Sequence, residues 1–473
     1  MHNDKESPFT LTLLELDISL QVVQFSGHEA LNQPYRFDVE VLGPTPALRL
    51  EQWLQQPAYL TLAQGQGIHG ILHSAIETLH GGQRGGYKLV LVPRLRVLDQ
   101  QRRRRIFHNL SVPMILRQLL EEHQLPCDSY CLELTTGHYP LRPFCIQYEE
   151  SDLALLHRLC EEEGIHYHFE HQRDGHVLIL ADDSLSFPQE PWLVPCHKAR
   201  PDTVSGATIS ELFQRLDAPP PLRPDARNRG ALNIGDGAAN HTLGTPPAHQ
   251  QQLSRDPSHP EQLSRRQLER LRCQQLQIEG RSDHPALRSA RIVQVSGHPC
   301  SHFNEQWLIT ETRHEGRHPS LFSEDVASLS PGYRNRFTGI LWSSAFRPPL
   351  RHIRPRIPGY QPARVCGPPG QAASVDDKGR IKVQLWPSPT PAEDACGLWL
   401  PVVLACASGH LDPARLPAAG SDVLVSFLDC DPDRPVLHAV MARPEQPPPR
   451  RRASAGDSRL LLDWLVNRSD LTP

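Results

Sequence analysis

Proline punctuates this chain more than any other feature. It occupies 46 of 473 positions, roughly twice its usual share of about 5%. The pyrrolidine ring fixes φ and removes a backbone donor, so helices stop at it. A helical bundle is excluded on that ground. The short apolar runs between the prolines have to form β-structure joined by irregular loops. FTLTLLEL, YRFDVEVL, AYLTLA and YKLVLV, all within residues 9–100, alternate as half-buried strands do and are separated by turn residues. At about 150 residues per domain the length corresponds to about three domains.

Charge and cysteine narrow the class. Lys plus Arg is 49 and Asp plus Glu is 53, a net charge of -4, without the basic excess that marks a nucleic-acid binder. No apolar run approaches the ~20 residues of a membrane span. The opening MHNDKESPFT has no apolar h-region, so no Sec signal is expected. The 11 cysteines are widely spaced with no C-x-x-C, which fits reduced thiols in a cytosolic chain better than a zinc ribbon or a disulfide framework.

Helices are expected at 48–55, from Ser111 with the stripe Ile115, Leu116, Leu119 and Leu120, from Ser151 with the stripe Leu153, Leu156, Leu159 and Cys160, and at 260–278. Gly164 suits the left-handed cap of the third of these. HYHFEH and HVLILA read as a hairpin around Asp174-Gly175, and the run Arg102–Arg105 reads as a solvated loop. The Pro/Gly-rich stretch 217–260 reads as a long exposed loop. The expected domains are a hub region at 1–344, a Pro-rich linker at 345–363 and a small barrel at 364–443. A Pro/Arg-rich spacer and short amphipathic tail at 444–473 would follow.

Three motif matches carry less than they promise. His314-Glu315-Gly316-Arg317-His318 fits H-E-x-x-H, whose chemistry needs both histidines one turn apart on a helix with the Glu as general base. The run before it, QWLITETR, reads as a strand, and Pro319 follows directly. A turn after a strand is the expectation; a zinc-dependent hydrolase is the rival from a different class. Gly65-x-Gly67-x-x-Gly70 fits the dinucleotide fingerprint, but no helix follows and position 90 is Val. His166, His168 and His171 cluster on a strand, where a polar face is the simpler reading than metal ligation. No nucleophile, base and oxyanion hole assemble, so no enzyme activity, cofactor or metal is expected.

Three longer stretches are more specific. Tyr148-x-Glu150-Ser151-Asp152 leads into a helix ending Glu161-Glu162-Glu163-Gly164-Ile165. Asp376 to Gln384 reads Asp-x-x-Gly-Arg-Ile-Lys-Val-Gln, containing Gly379, Arg380, Lys382 and Gln384. Phe427 to Pro435 ends in Asp431-Pro432-Asp433-Arg434-Pro435, a turn in which Pro fixes φ and the aspartates accept backbone donors. In this order, and over residues 9–443, the chain resembles the VgrG family, tip proteins of bacterial type VI secretion related to the hub and spike of contractile phage tails.

The resemblance implies a mainly β fold with some α: two similar tube-type barrels in the hub, then a small oligonucleotide/oligosaccharide-binding (OB) barrel as spike neck. It implies a homotrimer seated on the hexameric Hcp tube, with baseplate proteins around it and a PAAR-like tip, effector or adaptor as cargo. The trimer would touch a target membrane only during puncture and would bind no nucleic acid. Such a protein is cytoplasmic before firing and is then translocated by contraction. A phage-tail or tailocin hub shares the fold and is the alternative. The chain departs from the family at Leu385-Trp386-Pro387 and Pro417-Ala418-Ala419, and the expected form is a short one without a β-helical needle. Leu461, Trp464 and Leu465 on the tail are candidate partner-docking residues.

Overall fold

The computed structural model describes residues 8–43, 49–63, 65–80, 84–196, 208–217, 258–318, 332–387, 397–402 and 416–440. The stretch 218–257 and the whole tail, with Leu461, Trp464 and Leu465, lie outside the described residues. The chain divides into two compact units, Met1–Arg356 and Ile357–Pro473.

The first unit opens with β1 (Thr10–Leu13), β2 (Ile18–Ala30), β3 (Gln33–Leu42), β4 (Pro57–Ala63), β5 (Gln66–His80) and β6 (Arg84–Val92). They pair antiparallel in the order β1-β4-β5-β6-β3-β2, and β2 returns to β1, which closes a barrel. The alternating sequence explains the closure. In β4 the buried residues are Ala58, Leu60 and Leu62, every second position, so one face of the strand fills the barrel. Leu11 stands opposite both Leu20 and Leu60. All are buried, and each such side chain contributes about 1.5–3 kcal/mol relative to exposure.

An insertion follows: β7 (Arg102–Leu110), α1 (Val112–Glu122), β8 (Tyr130–Glu133), β9 (Arg142–Ser151), α2 (Asp152–Glu163), β10 (His166–His171) and β11 (His176–Ala181). The expected stripe of α1 is buried. The hairpin β10–β11 forms as expected, with β8 added parallel to β11. The Arg102–Arg105 run is not a loop. It begins β7, which pairs with β9, because carboxylates face three of its four arginines. The helix expected at 48–55 is a single 3-10 turn at Leu50–Gln52.

A second barrel-like sheet comprises β12 (Trp192–Pro195), β13 (Ile209–Leu216), β14 (Leu276–Ser282), β15 (Ile292–Ser296), β16 (Gln306–Arg317) and β17 (Gly332–Leu341). Its order is β12-β15-β16-β17-β14-β13, and a bridge between Cys196 and Ile209 brings the two ends together. Val194, Ile209, Ile278, Val293, Trp307 and Phe337 pack inside. The helix α3 (Ser258–Gln275) precedes β14. The two barrels are fused edge to edge: β16 pairs antiparallel with β2 from Glu311 opposite Ala30 to Arg317 opposite Gln24.

The second unit holds β18 (Tyr360–Val365), β19 (Arg380–Leu385), β20 (Leu398–Pro401), β21 (Asp422–Phe427) and β22 (Pro435–Val440) in the order β20-β19-β18-β21-β22. A bridge from Val402 to Leu437 joins the two edges, giving a five-stranded barrel of OB type. The fold class is the expected one: mainly β, two barrels and then a small one.

Candidate functional site

Three glutamates end α2 at its negative pole, where the helix dipole favours cations instead. The surrounding structure corrects that sign. Arg142 reaches Glu163 at 2.7 Å and Glu162 at 3.3 Å. Arg354 meets Glu162 at 2.6 Å, and His259 meets Glu163 at 2.9 Å. Glu161 accepts the backbone amides of Arg351 and His352, both at 2.8 Å, and the His352 ring at 2.7 Å. Burial alone would raise the Glu162 carboxyl, but Arg354, Arg158 and Arg142 outweigh it and hold it at about 2. Burial likewise opposes ionisation of Glu163, and His259 and Arg142 prevail, leaving it below the usual range.

The last carbonyls of a helix lack intrahelical partners. Here arginines take them. Arg270 donates to Glu161 O at 2.7 Å, Arg266 to Glu163 O, and Arg347 to Gly164 O at 3.1 Å. Arg347 also donates to Asp182 O at 2.8 Å and pairs with Glu269 at 2.7 Å. Gly164 has φ +72°, and a Cβ there would sit 3.0 Å from Arg266 Cδ and 3.2 Å from Arg347 Cδ. The left-handed turn and the close arginines both require glycine. The far end of α2 is capped by Ser151, whose Oγ accepts from the Ala154 amide and donates to Asp99. Asp152 is buried among Arg105 at 2.9 Å, His123 at 2.7 Å and Gln147 at 2.8 Å. Glu150 takes a forked pair from Arg158 at 2.6 and 3.2 Å. The ring of Tyr148 lies under Arg104 at 5.0 Å. The motif residues of this stretch are therefore one ionic clamp. It fastens α2 to β7, β9, α3 and the segment 347–354.

The other two motifs lie in the second unit. Asp376 accepts the amides of Lys378 and Arg380 and the Arg380 guanidinium at 2.6–2.7 Å, and Gly379 turns the chain at φ +73°. Lys382 stands opposite Trp399 and Gln384 opposite Arg364. Asp431 Oδ1 accepts the Asp433 amide at 3.1 Å, and Asp431 O accepts from Arg434 at 3.0 Å. Arg434 pairs with Asp429 at 2.7 Å. Pro432 completes that turn, and Pro435 opposite Phe427 begins the β21–β22 ladder.

The decoys resolve geometrically. His314, Glu315 and Gly316 lie within strand β16, so no helical face exists to align the two histidines. His314 points inward, 2.5 Å from the Tyr333 hydroxyl and 3.4 Å from Glu29, whereas Glu315 is exposed. The zinc-hydrolase reading of His314, Glu315 and His318 is thereby overturned. Gly67 sits on β5, where a Cβ would come within 2.4 Å of the Tyr59 ring; it serves close strand packing, not phosphate. His166 and His168 are buried against Phe187, at ring distances of 4.5 and 5.2 Å, and do not form a polar face.

Sequence reasoning missed a buried imidazole cluster. The Arg94 amide donates to His176 Nε2 at 3.1 Å, so the proton of His176 is on Nδ1, where it meets His69 Nδ1 at 2.8 Å. Both rings are thus held neutral. Burial, aided by Arg94, pushes His69 down to about 4, and burial with His69 and Arg94 pushes His176 down to about 3. It also missed the clamp's arginines, which come from positions up to 192 residues away.

A family model described as the phage tail baseplate hub matches residues 28–320. This chain belongs to that family. Among curated relatives of the hub, it is 38% identical over 461 residues to the type VI secretion system spike protein VgrG5 of Pseudomonas aeruginosa, covering 93% of this chain and 58% of that protein. It is 36% identical to the spike protein VgrG4b of the same organism, covering 94% of this chain and 57% of the relative. The hub chain thus spans a little over half the length of these relatives. The solved structure of the E. coli c3393 protein, described as a component of the type VI secretion system similar to T4 phage tail proteins gp27 and gp5, aligns with a TM-score of 0.68. It shares 23% identity over 91% of this chain and 99% of that one, and supports the fold.

Proposed function

We propose that the chain is a structural tip component of a type VI secretion system, a hub and spike neck that works by packing and not by chemistry. The observation that carries this reading is the pair of barrels fused through β2 and β16. Three copies would present six barrels in a ring, matching a hexameric Hcp tube with a threefold assembly. The ionic clamp around α2, with Tyr148, Glu150, Ser151, Asp152, Glu163 and Gly164, then fixes the insertion on the hub. Gly379, Arg380, Asp431 and Arg434 fix turns of the neck. A PAAR-like tip or effector would be the cargo, and contraction would carry the assembly from the cytoplasm through a target membrane.

Light scattering tests the assembly. A trimer has a mass of about 160 kDa, three copies of 53.2 kDa, and pull-down by immobilised Hcp rings tests the seat. A lone 53.2 kDa subunit at every concentration, or no retention on Hcp, would sink the reading. Deleting 456–473, which contains Leu461, Trp464 and Leu465, tests whether the tail docks cargo: co-purification of a PAAR-like partner should be lost. The matched family also favours a second reading, a phage-tail or tailocin hub. The surrounding genes decide between them: tail-fibre and capsid genes mark a phage, a secretion-system membrane complex marks secretion.

A further inference from the structure

Across the fused barrels the outward face of the sheet carries a row of four arginines and one histidine. Arg281 of β14 stands opposite Arg336 of β17, Arg336 opposite Arg313 of β16, Arg313 opposite His28 of β2, and His28 opposite Arg36 of β3. Like charges directly opposite in antiparallel strands destabilise a sheet. Most members of the row have a local remedy. Arg281 pairs with Glu211 at 3.2 Å, Arg313 and His28 each with Glu311 at 3.1 Å, and Arg36 with Asp38 at 2.7 Å. Arg336, at the centre of the arginines, is exposed and makes no ion pair among the described residues. Four arginines of this face, Arg215, Arg281, Arg313 and Arg336, line a hollow of 520 Å³ with two carboxylates, Glu279 and Glu311; Arg351 and the clamp's Arg347 lie at its edge. The 60%-exposed ring of Phe213 borders it. A second hollow of 620 Å³ along the same face nearly balances Arg36, Lys88, Arg317 and Arg334 with Asp38, Glu40 and Glu315.

We propose that this row is a docking stripe for an extended acidic segment of a partner polypeptide, with Arg336 as its central contact. Four inter-strand steps separate Arg281 from Arg36, about 19 Å at the usual spacing. About six residues of extended peptide span that length. Alternate Asp or Glu side chains of such a segment face one way and can take forked pairs from the arginines. The stripe is one row wide. Carboxylates of Glu279 and Glu311 border it on one side, and those of Glu315 and Asp38, with Arg334 among them, on the other. That narrowness favours a single peptide strand over a nucleic acid, which needs a broader basic groove with aromatic stacking platforms. The chain's own 217–260 stretch has no two acidic residues in succession and is not complementary. Docking of this kind requires one subunit only and is independent of trimer assembly.

The test is fluorescence anisotropy of the full chain with fluorescein-labelled octaglutamate at low salt. Saturable binding that weakens as salt rises is expected. Arg336→Glu should weaken it at least ten-fold, and Arg336→Lys much less. Because Arg336 is exposed among like charges, Arg336→Thr should keep or raise the melting temperature while losing binding, so misfolding cannot account for the loss. Absence of saturable binding, or binding indifferent to Arg336→Glu, overturns the proposal. So does equally tight binding of octathymidylate, which would mean a general polyanion surface. Binding that appears only in the Glu324→Gln/Asp325→Asn variant would assign the stripe to this chain's own acidic pair and overturn it as well.

Discussion

Both units of this chain are built on closed or nearly closed β-barrels, yet their interiors differ in kind. In the first unit, buried ionisable side chains run from Glu29 and His69 through Asp152, Arg158, Glu161, Glu163 and Asp182 to Arg266, Arg270 and Arg347. In the second, Asp431 is the one buried ionisable side chain among the described residues. The inward positions there are Val365, Ile381, Val383, Leu400, Val423 and Val425. A five-stranded barrel closes on its own apolar face. The hub must also hold two helices, which share an apolar core with the first barrel, and a return segment, and at the C-terminal end of α2 it does so with charge. Breaking one member of a buried ionic network costs far more than the network adds over an apolar equivalent. The hub should therefore be the brittle half, to acid and to substitution, and the neck the tolerant one.

Acid gives the largest expected contrast. In the unfolded chain a histidine takes up its proton near 6.5, whereas folded His69 does so only at about 4, and His157 and His176 at about 3. The unfolded state binds more protons between these limits, so hub stability is complete above about pH 6.5 and falls as pH drops towards the folded values. Each tenfold difference in proton affinity between the two states is worth about 1.4 kcal/mol, so each of these rings costs about 3 kcal/mol by pH 4. A second window lies lower. Glu29 and Glu162 are held at about 2, so what they contribute is present above about pH 4.5 and is lost as pH falls through 2. Peptide-resolved hydrogen exchange at pH 7 and pH 4.5, corrected for intrinsic rates, should show the hub opening while residues 360–440 keep their protection. Equal loss in both units would break the contrast.

Next in size is Arg347→Ala. It removes the donors to Gly164 O and Asp182 O and the partner of Glu269, stranding buried acceptors. A loss of about 3–5 kcal/mol is expected, read as a lower urea midpoint for the hub transition with the neck transition unmoved. A neck shifted by the same amount would mean the two units unfold as one.

Gly164→Ala should be milder. The αL conformation costs a non-glycine residue about 1 kcal/mol, and its Cβ must displace the aliphatic stems of Arg266 and Arg347. A total of about 1–2 kcal/mol is expected from the same urea curves, less than for Arg347→Ala. A larger loss would mean those stems cannot yield.

What could be read from the sequence follows the range of the interactions. Ser151 and Gly164 were legible as the cap residues of α2 because capping acts within one turn. The β10–β11 hairpin and the turn at Asp431 were legible for the same reason. Arg102–Arg105 misled because four charges in succession look solvated. Their carboxylates, Glu122, Glu149 and Asp152, come from α1, β9 and α2, all later in the chain. Arg142, Arg266, Arg270 and Arg347 could not be assigned to the glutamates of α2, since ion pairing has no sequence period. The stretch RPPLRHIRPR at 347–356 read as a linker, yet Arg347, His352 and Arg354 anchor it to α2 and its surroundings. The imidazoles of His69 and His176, 107 residues apart, left no pattern at all. The fold was thus visible where neighbours decide it, and the clamp was visible only on its helix side.

The smallest effect belongs to the neck and tests whether that unit is as tolerant as its interior suggests. Asp376 bonds two backbone amides and the Arg380 guanidinium at the mouth of β19, and its carboxyl lies below the usual range: burial opposes this, and the Arg380 amide and guanidinium prevail. Asp376→Ala removes these bonds, but water can reach the freed groups at a half-exposed turn. A net hydrogen bond in such a place is worth about 0.5–1.5 kcal/mol, so the neck transition should drop by about 1 kcal/mol and the hub by nothing. Asp376→Asn should recover part of it by keeping an acceptor for the two amides. Were Asp376→Ala to cost as much as Arg347→Ala, the neck would owe its shape to that turn and not to its apolar barrel, and the contrast between a charged hub and an apolar neck would fail.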